Sequence, residues 1–372
     1  MHIEAVELRI IALPMVIPFV AAHGTVTTRT AVLVRLVGGD DQGWGECAAL
    51  PEPTYSDEYV DGAFITLEEI LVPRLLAVDG QLGVDDLPHV FADVVGQPMA
   101  KAAVELALLD AEGRRRGQPL AGLLSPDPAP TVAAGVAIGL MDSPDALALE
   151  ASMRVAEGYG RLKIKIEPGH DIDHVRAVRG AVGPSIELCV DANGSYALDD
   201  WRRLAALDDA GLAYVEQPLA ADDLLDHAEL ARRIATPICL DESLTSPTVT
   251  REALDMGACS VVCVKAPRFG SWRMAADVLD HCAGLGIDAW VGGMLDCGIG
   301  RAANIALAAH PGATLTGDIA ATERFFREDI TAPVTLDPEI GRITVPILPG
   351  IGVDLDAAAV DRSTIRRTTV RR

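Results

Sequence analysis

The run RLKIKIE at residues 161–167 belongs to a ladder of short β-branched runs that decides the fold. From about residue 133, such runs alternate with stretches in which apolar residues recur at helical spacing. Eight runs form the ladder: AAGVAIGL (133–140), RLKIKIE (161–167), IELCVDAN (186–193), LAYVEQP (212–218), TPICLDES (236–243), SVVCVKAP (260–267), IDAWVGG (287–293) and ATLTGDI (313–319). Eight strands alternating with helices predict an α/β fold, a parallel (β/α)8 barrel rather than an open sheet.

The flanks of the ladder have a different pattern. Residues 1–48 have strand periodicity, residues 60–117 have helical periodicity, and the tail after about 325 again has strand and turn chemistry. We therefore predict a modified TIM-type barrel at 126–324 and an α+β capping domain at 1–125. The C-terminal segment, 325–372, is expected to return to the capping domain.

Composition restricts the class of partner. The 372-residue chain is 49% hydrophobic and has a net charge of −23, which argues against nucleic acid or an anionic membrane as a partner. Its seven cysteines form no C-x-x-C pair, and no apolar run approaches the length of a membrane span. We expect a cytoplasmic homo-oligomer that acts on a small molecule. If that molecule is an anion, positive charge at the binding site must overcome the net negative charge of the protein.

Polar residues recur at the ends of the second to sixth runs. They are Lys165, Asp191, Glu216, Asp241 and Lys265, spaced 26, 25, 25 and 24 residues apart. Each step is one strand–helix unit, so all five are expected at one height, at the C-terminal mouth where barrel enzymes keep their active sites.

This spacing predicts a metal site between two opposed lysines. Strands two and six are four apart in a ring of eight, so Lys165 and Lys265 should face each other. Three converging carboxylates need a compensating cation, and oxygen ligands favour Mg²⁺, with Mn²⁺ as the second choice. Such a site suits removal of a proton α to a carboxylate by a lysine, with the metal stabilising the enediolate.

Lys163 precedes Lys165 by two residues and therefore points to the same side of the strand. Its like charge would lower the pKa of Lys165 and make that lysine a better base. Alternatively, Lys163 pairs with a carboxylate from a neighbouring strand. Taken singly, Asp191 and Asp241 could also be helix N-caps, but five polar residues in phase favour the functional interpretation.

Several further residues are candidates for substrate contact. Gly292, Gly293 and Met294 follow the seventh run, where paired glycines allow a close backbone approach to a ligand. Asp318 could be a structural cap or a substrate contact, and His23 lies in a segment, AAHGT, that could cover the mouth.

Together, the motifs KIKIEPG, VDANGSY, EQP, LDES and the lysine of the sixth run resemble those of the enolase superfamily, muconate-lactonizing subgroup. GYGRLKIKIEPGHD, TPICLDES and GIGRAANIALA are most similar to the o-succinylbenzoate synthase and N-acylamino acid (N-succinylamino acid) racemase family. The resemblance implies Asp191, Glu216 and Asp241 as metal ligands and Lys165 and Lys265 as the acid/base pair. Asn193, of the D-x-N motif, and Tyr55, in a capping loop, join the candidate substrate-binding or supporting residues.

The chain also departs from the family pattern. Ala266–Pro267 follow Lys265 where relatives often have Pro-Gly, Asp296 replaces a glutamate, Val20 an arginine and Ala137 a serine. These departures leave the outcome open between o-succinylbenzoate synthesis by dehydration and N-acylamino acid racemisation. Dipeptide epimerisation and cycloisomerisation use the same groups, and a Schiff-base aldolase using Lys265 is a chemically different alternative.

Overall fold

The computed structural model describes residues 1–21 and 24–372. The strands in this part of the chain are β1 (Ala5–Ala21), β2 (Gly24–Gly38), β3 (Asp41–Cys47), β4 (Thr131–Ala133), β5 (Gly135–Ile138), β6 (Arg161–Lys165), β7 (Glu187–Asp191), β8 (Val215–Glu216), β9 (Ile238–Leu240), β10 (Val261–Val264), β11 (Asp288–Val291), β12 (Arg342–Thr344) and β13 (Thr364–Arg371). The helices are α1 (Val60–Thr66), α2 (Val72–Leu76), α3 (Leu87–Val90), α4 (Pro98–Arg116), α5 (Leu120–Leu124), α6 (Pro144–Ala156), α7 (Ile172–Val182), α8 (Trp201–Ala205), α9 (Leu224–Leu230), α10 (Pro247–Asp255), α11 (Ala266–Phe269), α12 (Trp272–Leu285), α13 (Gly298–Ala308) and α14 (Ala357–Ser363). A π-helical turn (Leu67–Leu71) joins α1 to α2.

The N-terminal strands form an antiparallel sheet in the order β13-β1-β2-β3. Because β13 pairs with β1, the end of the chain completes this sheet, which is the predicted return of the C-terminal tail. Helix α4 lies against β3 at Gly43 and Gly45. A β-carbon at either glycine would come within 1.9 Å of a carbonyl oxygen of α4, so only glycine permits this contact.

The central sheet is parallel and follows chain order, β5 to β11. It is the curled sheet of a modified TIM barrel, and the predicted fold is confirmed. The prediction of an eighth regular strand is wrong: residues 313–319 occupy the gap between β11 and β5 without a continuous ladder. Leu315 and Asp318 donate to β11 at 3.1 Å, and Gly135 of β5 donates to Ile319 at 3.1 Å, so isolated backbone hydrogen bonds connect the two edges.

Helix ends in the barrel follow from local capping chemistry. Ser143, Ser246 and Ser271 precede α6, α10 and α12, and each hydroxyl accepts a backbone N–H three residues later. Gly117 and Gly286 follow α4 and α12 in the left-handed conformation that ends a helix. Among the helices of the described residues, none has both the length and the apolar character needed to cross a membrane.

The C-terminal segment also contacts the barrel. Strand β12 pairs with β4, which directly precedes the first barrel strand, β5. After β12 the chain continues to α14 and β13. The segment from 325 onward therefore packs against both parts of the molecule, whereas the sequence predicted contact with the capping domain.

Candidate active site

The five residues of the predicted ladder lie at one end of the barrel. Lys165, Asp191 and Glu216 are the last residues of β6, β7 and β8, and the register pairs them directly in that order. Asp241 and Lys265 follow β9 and β10 immediately. All five side chains are buried. Equal steps along the sequence have thus placed five polar groups in one layer at the carboxyl ends of the strands.

The layer surrounds a cavity of about 100 Å³. Lys165 and Lys265 both line it, and their strands are four apart in the sheet. Both lysines are buried, at 7% and 5% exposure, so removing either one would leave its carboxylate partner short of positive charge.

Lys265 is held by a carboxylate and a phenol. Its Nζ donates to Asp241 Oδ2 at 2.8 Å and to Tyr55 Oη at 2.9 Å, while the Tyr55 hydroxyl donates to Asp241 at 3.0 Å. Burial disfavours the ammonium charge, but Asp241 together with other nearby acidic groups, Glu242 and Glu216 among them, outweighs burial and raises the pKa of Lys265 well above its usual value. Tyr55 comes from the capping-domain sequence, so both predicted domains contribute to this end of the site.

Arg268 is a site residue that the sequence analysis missed. The short helix α11 directly after Lys265 turns Arg268 back toward the barrel, where its guanidinium donates to Asp241 Oδ1 at 2.7 Å and also contacts the Tyr55 hydroxyl. The departure at Ala266–Pro267 lies in this helix, and Pro267 is well suited to its first turn. A helical turn after Lys265 could have indicated Arg268 from the sequence. One turn of helix brings the residue three positions after Lys265 back to the same side of the chain.

Lys165 is held at the opposite end by Asp191 and Asn193, each 2.7 Å from Nζ. Burial raises the pKa of the Asp191 carboxyl, but the two ammonium groups of Lys165 and Lys163 outweigh burial and lower it below its usual range. Asn193 also donates to Glu242 at 2.8 Å. Burial, together with Asp241 and Asp191, raises the pKa of Glu242 to about 7.

Lys163 contacts three carboxylates, as its alternative interpretation predicted. Its Nζ lies 2.9 Å from Glu216, 3.2 Å from Asp191 and 2.6 Å from Asp318. Burial opposes its charge, but Asp318 and then Glu216 outweigh burial and raise the pKa of Lys163 well above normal. Asp318 also pairs with the buried Arg161, so its carboxylate is engaged within the barrel.

The donor set fits a hard divalent cation. Glu216 and Asp241 offer carboxylate oxygens that lie, with the Cys263 sulfur, within 4.8 Å of one another. Burial and the nearby Asp191 raise the pKa of Glu216 well above normal, and the Lys163 ammonium at 2.9 Å only partly offsets this effect. Cys263 is the poorer ligand because burial raises its thiol pKa and keeps it protonated. Asp191, the third predicted ligand, is instead directed toward Lys165.

The turn after β11 forms one wall. Gly292 lies against Lys265: a β-carbon there would come within 2.6 Å of Cε and 2.7 Å of the Cys263 sulfur. Gly293, Met294 and Asp296 line the cavity, and Asp296 accepts the Met294 N–H at 2.8 Å. The aspartate at 296, where relatives often have glutamate, therefore stabilises the turn in which it lies by accepting the Met294 N–H.

The remaining walls are apolar, apart from Arg301, Asn304 and Asp318. Phe19, Leu50, Leu295, Ile319, Ala320 and Phe325 line the cavity, as do Ala137 and the predicted Asp318. The sequence analysis did not identify Phe19, Leu50, Arg301, Asn304 or Phe325, since none of them shares the period of the ladder. His23 lies outside the described residues.

Comparison with known proteins identifies the family. The profile for the mandelate racemase/muconate lactonizing enzyme N-terminal domain matches residues 5–125, and that for the enolase C-terminal domain-like family matches residues 146–359. The chain is 45% identical to an N-succinylamino acid racemase of Amycolatopsis sp over 353 residues, 95% of each chain. It is 42% identical over 364 residues to an o-succinylbenzoate synthase of Geobacillus kaustophilus, covering 98% of this chain and 96% of the relative.

A solved structure supports the same family assignment. A crystal structure of an enolase-superfamily member from Listeria innocua superposes with a TM-score of 0.93 at 35% identity, covering 100% of this chain and 99% of that one. The ladder of lysines and carboxylates thus lies in a fold and a sequence background shared with named enzymes. The chain belongs to the mandelate racemase/muconate lactonizing enzyme family of the enolase superfamily, and it is an enzyme of the o-succinylbenzoate synthase and N-succinylamino acid racemase type.

Proposed function

We propose that this enzyme removes the proton α to a carboxylate with Mg²⁺ bound at Asp191, Glu216 and Asp241, and that it racemises N-succinylamino acids, forms o-succinylbenzoate, or does both. One observation carries the proposal: Lys165 and Lys265, on strands four apart, line the same cavity. Two ammonium groups in one small cavity can act on one carbon from two directions.

The residues around each lysine suit proton transfer. Asp191 and Asn193 hold Lys165, whereas Asp241 and Tyr55 hold Lys265, so each Nζ has a defined position. In the described structure the nearby carboxylates favour the charged form of Lys265. A cation bound to Asp241 would weaken that effect and favour the neutral amine that a base requires.

Bound Mg²⁺ would supply positive charge next to the substrate carboxylate, where negative charge develops when the α-proton leaves. Glu216 and Asp241 provide two buried carboxylates for it, and Asp191 adds a third on release from Lys165. Both lysines are buried, which would strengthen their interaction with that charge.

The two outcomes use the lysines differently. In racemisation, one lysine takes the α-proton on one face and the other ammonium returns a proton on the opposite face. In dehydration, Lys165 takes the α-proton, the electron pair of the broken C–H bond forms the new double bond, and the C–O bond breaks as Lys165 returns that proton to the departing β-hydroxyl, which leaves as water. Lys265 remains a cation near the developing charge.

The same lysines and carboxylates could support a dipeptide epimerase or a cycloisomerase. The 45% and 42% identities to an N-succinylamino acid racemase and an o-succinylbenzoate synthase favour the proposed pair of activities. A Schiff-base aldolase using Lys265 would need no metal ion, and the names of these two relatives describe a racemase and a synthase rather than an aldolase.

The proposal is tested by offering two substrates with Mg²⁺ present. One is an N-succinylamino acid, followed by polarimetry; the other is the alcohol that loses water to give o-succinylbenzoate, followed by absorbance of the aromatic product. We expect turnover of at least one and loss of turnover after chelation. Turnover of neither, or turnover that persists in chelator, would contradict the proposal.

A further inference from the structure

Arg301 is a buried cation in the cavity wall that the proposed chemistry does not use. It lies in the first turn of α13, is 6% exposed and lines the same cavity as the two lysines. Its guanidinium carbon lies 4.7 Å from the centre of the Phe325 ring, which also lines the cavity. A cation in this position needs a stabilising partner, because burying an unpaired charge is costly.

The hydrogen bonds of Arg301 do not neutralise it. One terminal nitrogen donates to the Ala320 carbonyl at 2.9 Å and the other to the Asp296 carbonyl at 2.7 Å. Its Nε is buried without an acceptor. Within the described residues Arg301 forms no ion pair, so an unpaired positive charge belongs to a residue that lines the cavity.

Nearby carboxylates are engaged elsewhere. Asp296 Oδ2 accepts from the Met294 N–H and from Asn304, each at 2.8 Å. Asp329 Oδ1 accepts from the Gly298 N–H at 2.9 Å and from the Ile330 N–H. Burial raises the pKa of Asp329, whose Oδ2 is buried without a donor, and the charge of Arg301 counteracts this rise without direct contact. Among the described residues, therefore, no carboxylate forms an ion pair with the Arg301 guanidinium.

We propose that Arg301 binds the second carboxylate of the substrate, the one at the end of a succinyl chain. This inference rests on the proposed function. N-succinylamino acids and o-succinylbenzoate, the compounds named for the two relatives, share a succinyl chain that ends in a free carboxylate. Their other carboxylate is assigned to the acidic and lysine end of the site. In a protein with net charge −23, a dianion needs a second local cation, and Arg301 provides it.

The experiment compares two N-acyl derivatives of one amino acid, N-succinyl and the neutral, isosteric N-succinamoyl. We expect the wild-type protein to favour the succinyl compound in kcat/KM by roughly 10- to 100-fold, the usual contribution of a charge-assisted contact. In Arg301→Met this preference should fall to about onefold, while Arg301→Lys should retain part of it. The ratio of the two kcat/KM values separates recognition of the carboxylate from structural damage. Loss of the contacts from Arg301 to the Ala320 and Asp296 carbonyls would lower kcat/KM for both compounds alike.

Arg324→Met is the matched control. Arg324 is a largely buried arginine beside Phe325, but it pairs with Glu150 rather than lining the cavity. Its substitution should leave the ratio unchanged. A wild-type ratio near one, or a preference that survives in Arg301→Met, would overturn the assignment while turnover continued. Turnover of neither compound by the wild type would overturn the racemase outcome of the proposed function, and this inference with it.

Discussion

At the scale of single residues, the proposed chemistry depends on the two lysines. Lys165 and Lys265 each contact an aspartate at 2.7 to 2.8 Å. We expect Lys165→Met and Lys265→Met each to lower kcat by about 10²- to 10⁴-fold, the usual contribution of a general acid or base. Steady-state kinetics with an N-succinylamino acid would measure the loss.

Lys101→Met serves as the control for these variants, because Lys101 is also partly buried but donates to a backbone carbonyl outside the site. It should retain wild-type kcat. If Lys165→Met or Lys265→Met retained full activity while folded, the two-lysine account would be wrong.

Tyr55 is the next residue to test. Its hydroxyl contacts Lys265 at 2.9 Å and Asp241 at 3.0 Å. Tyr55→Phe keeps the ring in place and removes the hydroxyl with its contacts to Lys265, Asp241 and Arg268, so we expect a decrease in kcat of about tenfold, equivalent to a contribution of ~1.4 kcal/mol. Thermal unfolding should show little change. An unaltered kcat would exclude a positioning role for the hydroxyl.

The sequence predicted the residues that share the period of the barrel and missed those that do not. Lys165, Asp191, Glu216, Asp241 and Lys265 recur once per strand–helix unit, and the structure places them in one layer. Arg268 and Arg301 reach the site from helices, so their positions depend on tertiary packing that strand spacing does not encode.

At the scale of elements, the turn after β11 tests how tightly the site is built. A β-carbon at Gly292 would lie 2.6 Å from Lys265 Cε, whereas at Gly293 the nearest atom would be 3.3 Å away. We expect Gly292→Ala to displace Lys265 and lower kcat at least about 100-fold. Gly293→Ala, the control, should lose less than about tenfold. Equal effects of the two substitutions would show that Lys265 is not held against this turn.

The junction of α4 and α12 predicts a pH effect on stability. Glu105 of α4 accepts from Ser271 at 2.7 Å and from the first N–H of α12. Burial raises the pKa of Glu105 from 4.5 to about 7. The folded protein therefore binds more protons than the unfolded chain between these pH values. Stability should fall as pH rises through that window, by up to ~3 kcal/mol for this group.

Glu105→Gln removes this titration. Melting temperatures measured from pH 4.5 to 8 should show the wild type losing stability relative to Glu105→Gln as pH rises. Glu112→Gln, on the same helix but in a pair with Arg116 at the surface, should follow the wild type. A constant difference between wild type and Glu105→Gln would contradict the assignment.

Element boundaries show where sequence patterns suffice. Helix α4 ends before Gly117, as its sequence predicted, because local capping determines that end. The eighth barrel run failed to form a regular strand. At Gly317 a β-carbon would come within 2.4 Å of the Val291 carbonyl, a close backbone approach that run length and composition do not reveal.

At the scale of the whole molecule, buried charge predicts a response to metal. Glu216 and Asp241 lie close together in the barrel, and the pKa of Glu216 is raised by burial and by Asp191. Added Mg²⁺ should therefore raise the melting temperature by several degrees, since a ligand at 100 times its Kd stabilises by about 2.7 kcal/mol. Asp241→Asn should weaken this response. An equal response in Asp241→Asn would place the bound metal elsewhere.

Both halves of the chain contribute to the cavity. Phe19, Leu50 and Tyr55 come from the predicted capping domain, and the lysines come from the barrel. The predicted limits of the two domains, the homo-oligomeric state and the cytoplasmic location stay predictions. The barrel could be inferred from sequence because a repeated unit encodes it, and the family could be inferred from motifs such as KIKIEPG and LDES. The cavity walls depend instead on how the two parts of the chain pack together.

The most direct test of the central claim is proton NMR in deuterated water with Mg²⁺, using each enantiomer of an N-succinylamino acid. The wild type should place deuterium at the α-carbon of both enantiomers, since a lysine can reach either face. Lys165→Met and Lys265→Met should each retain exchange with one enantiomer at most, and with opposite ones if both retain any. Exchange of both enantiomers by either variant, or of neither by the wild type, would contradict the account.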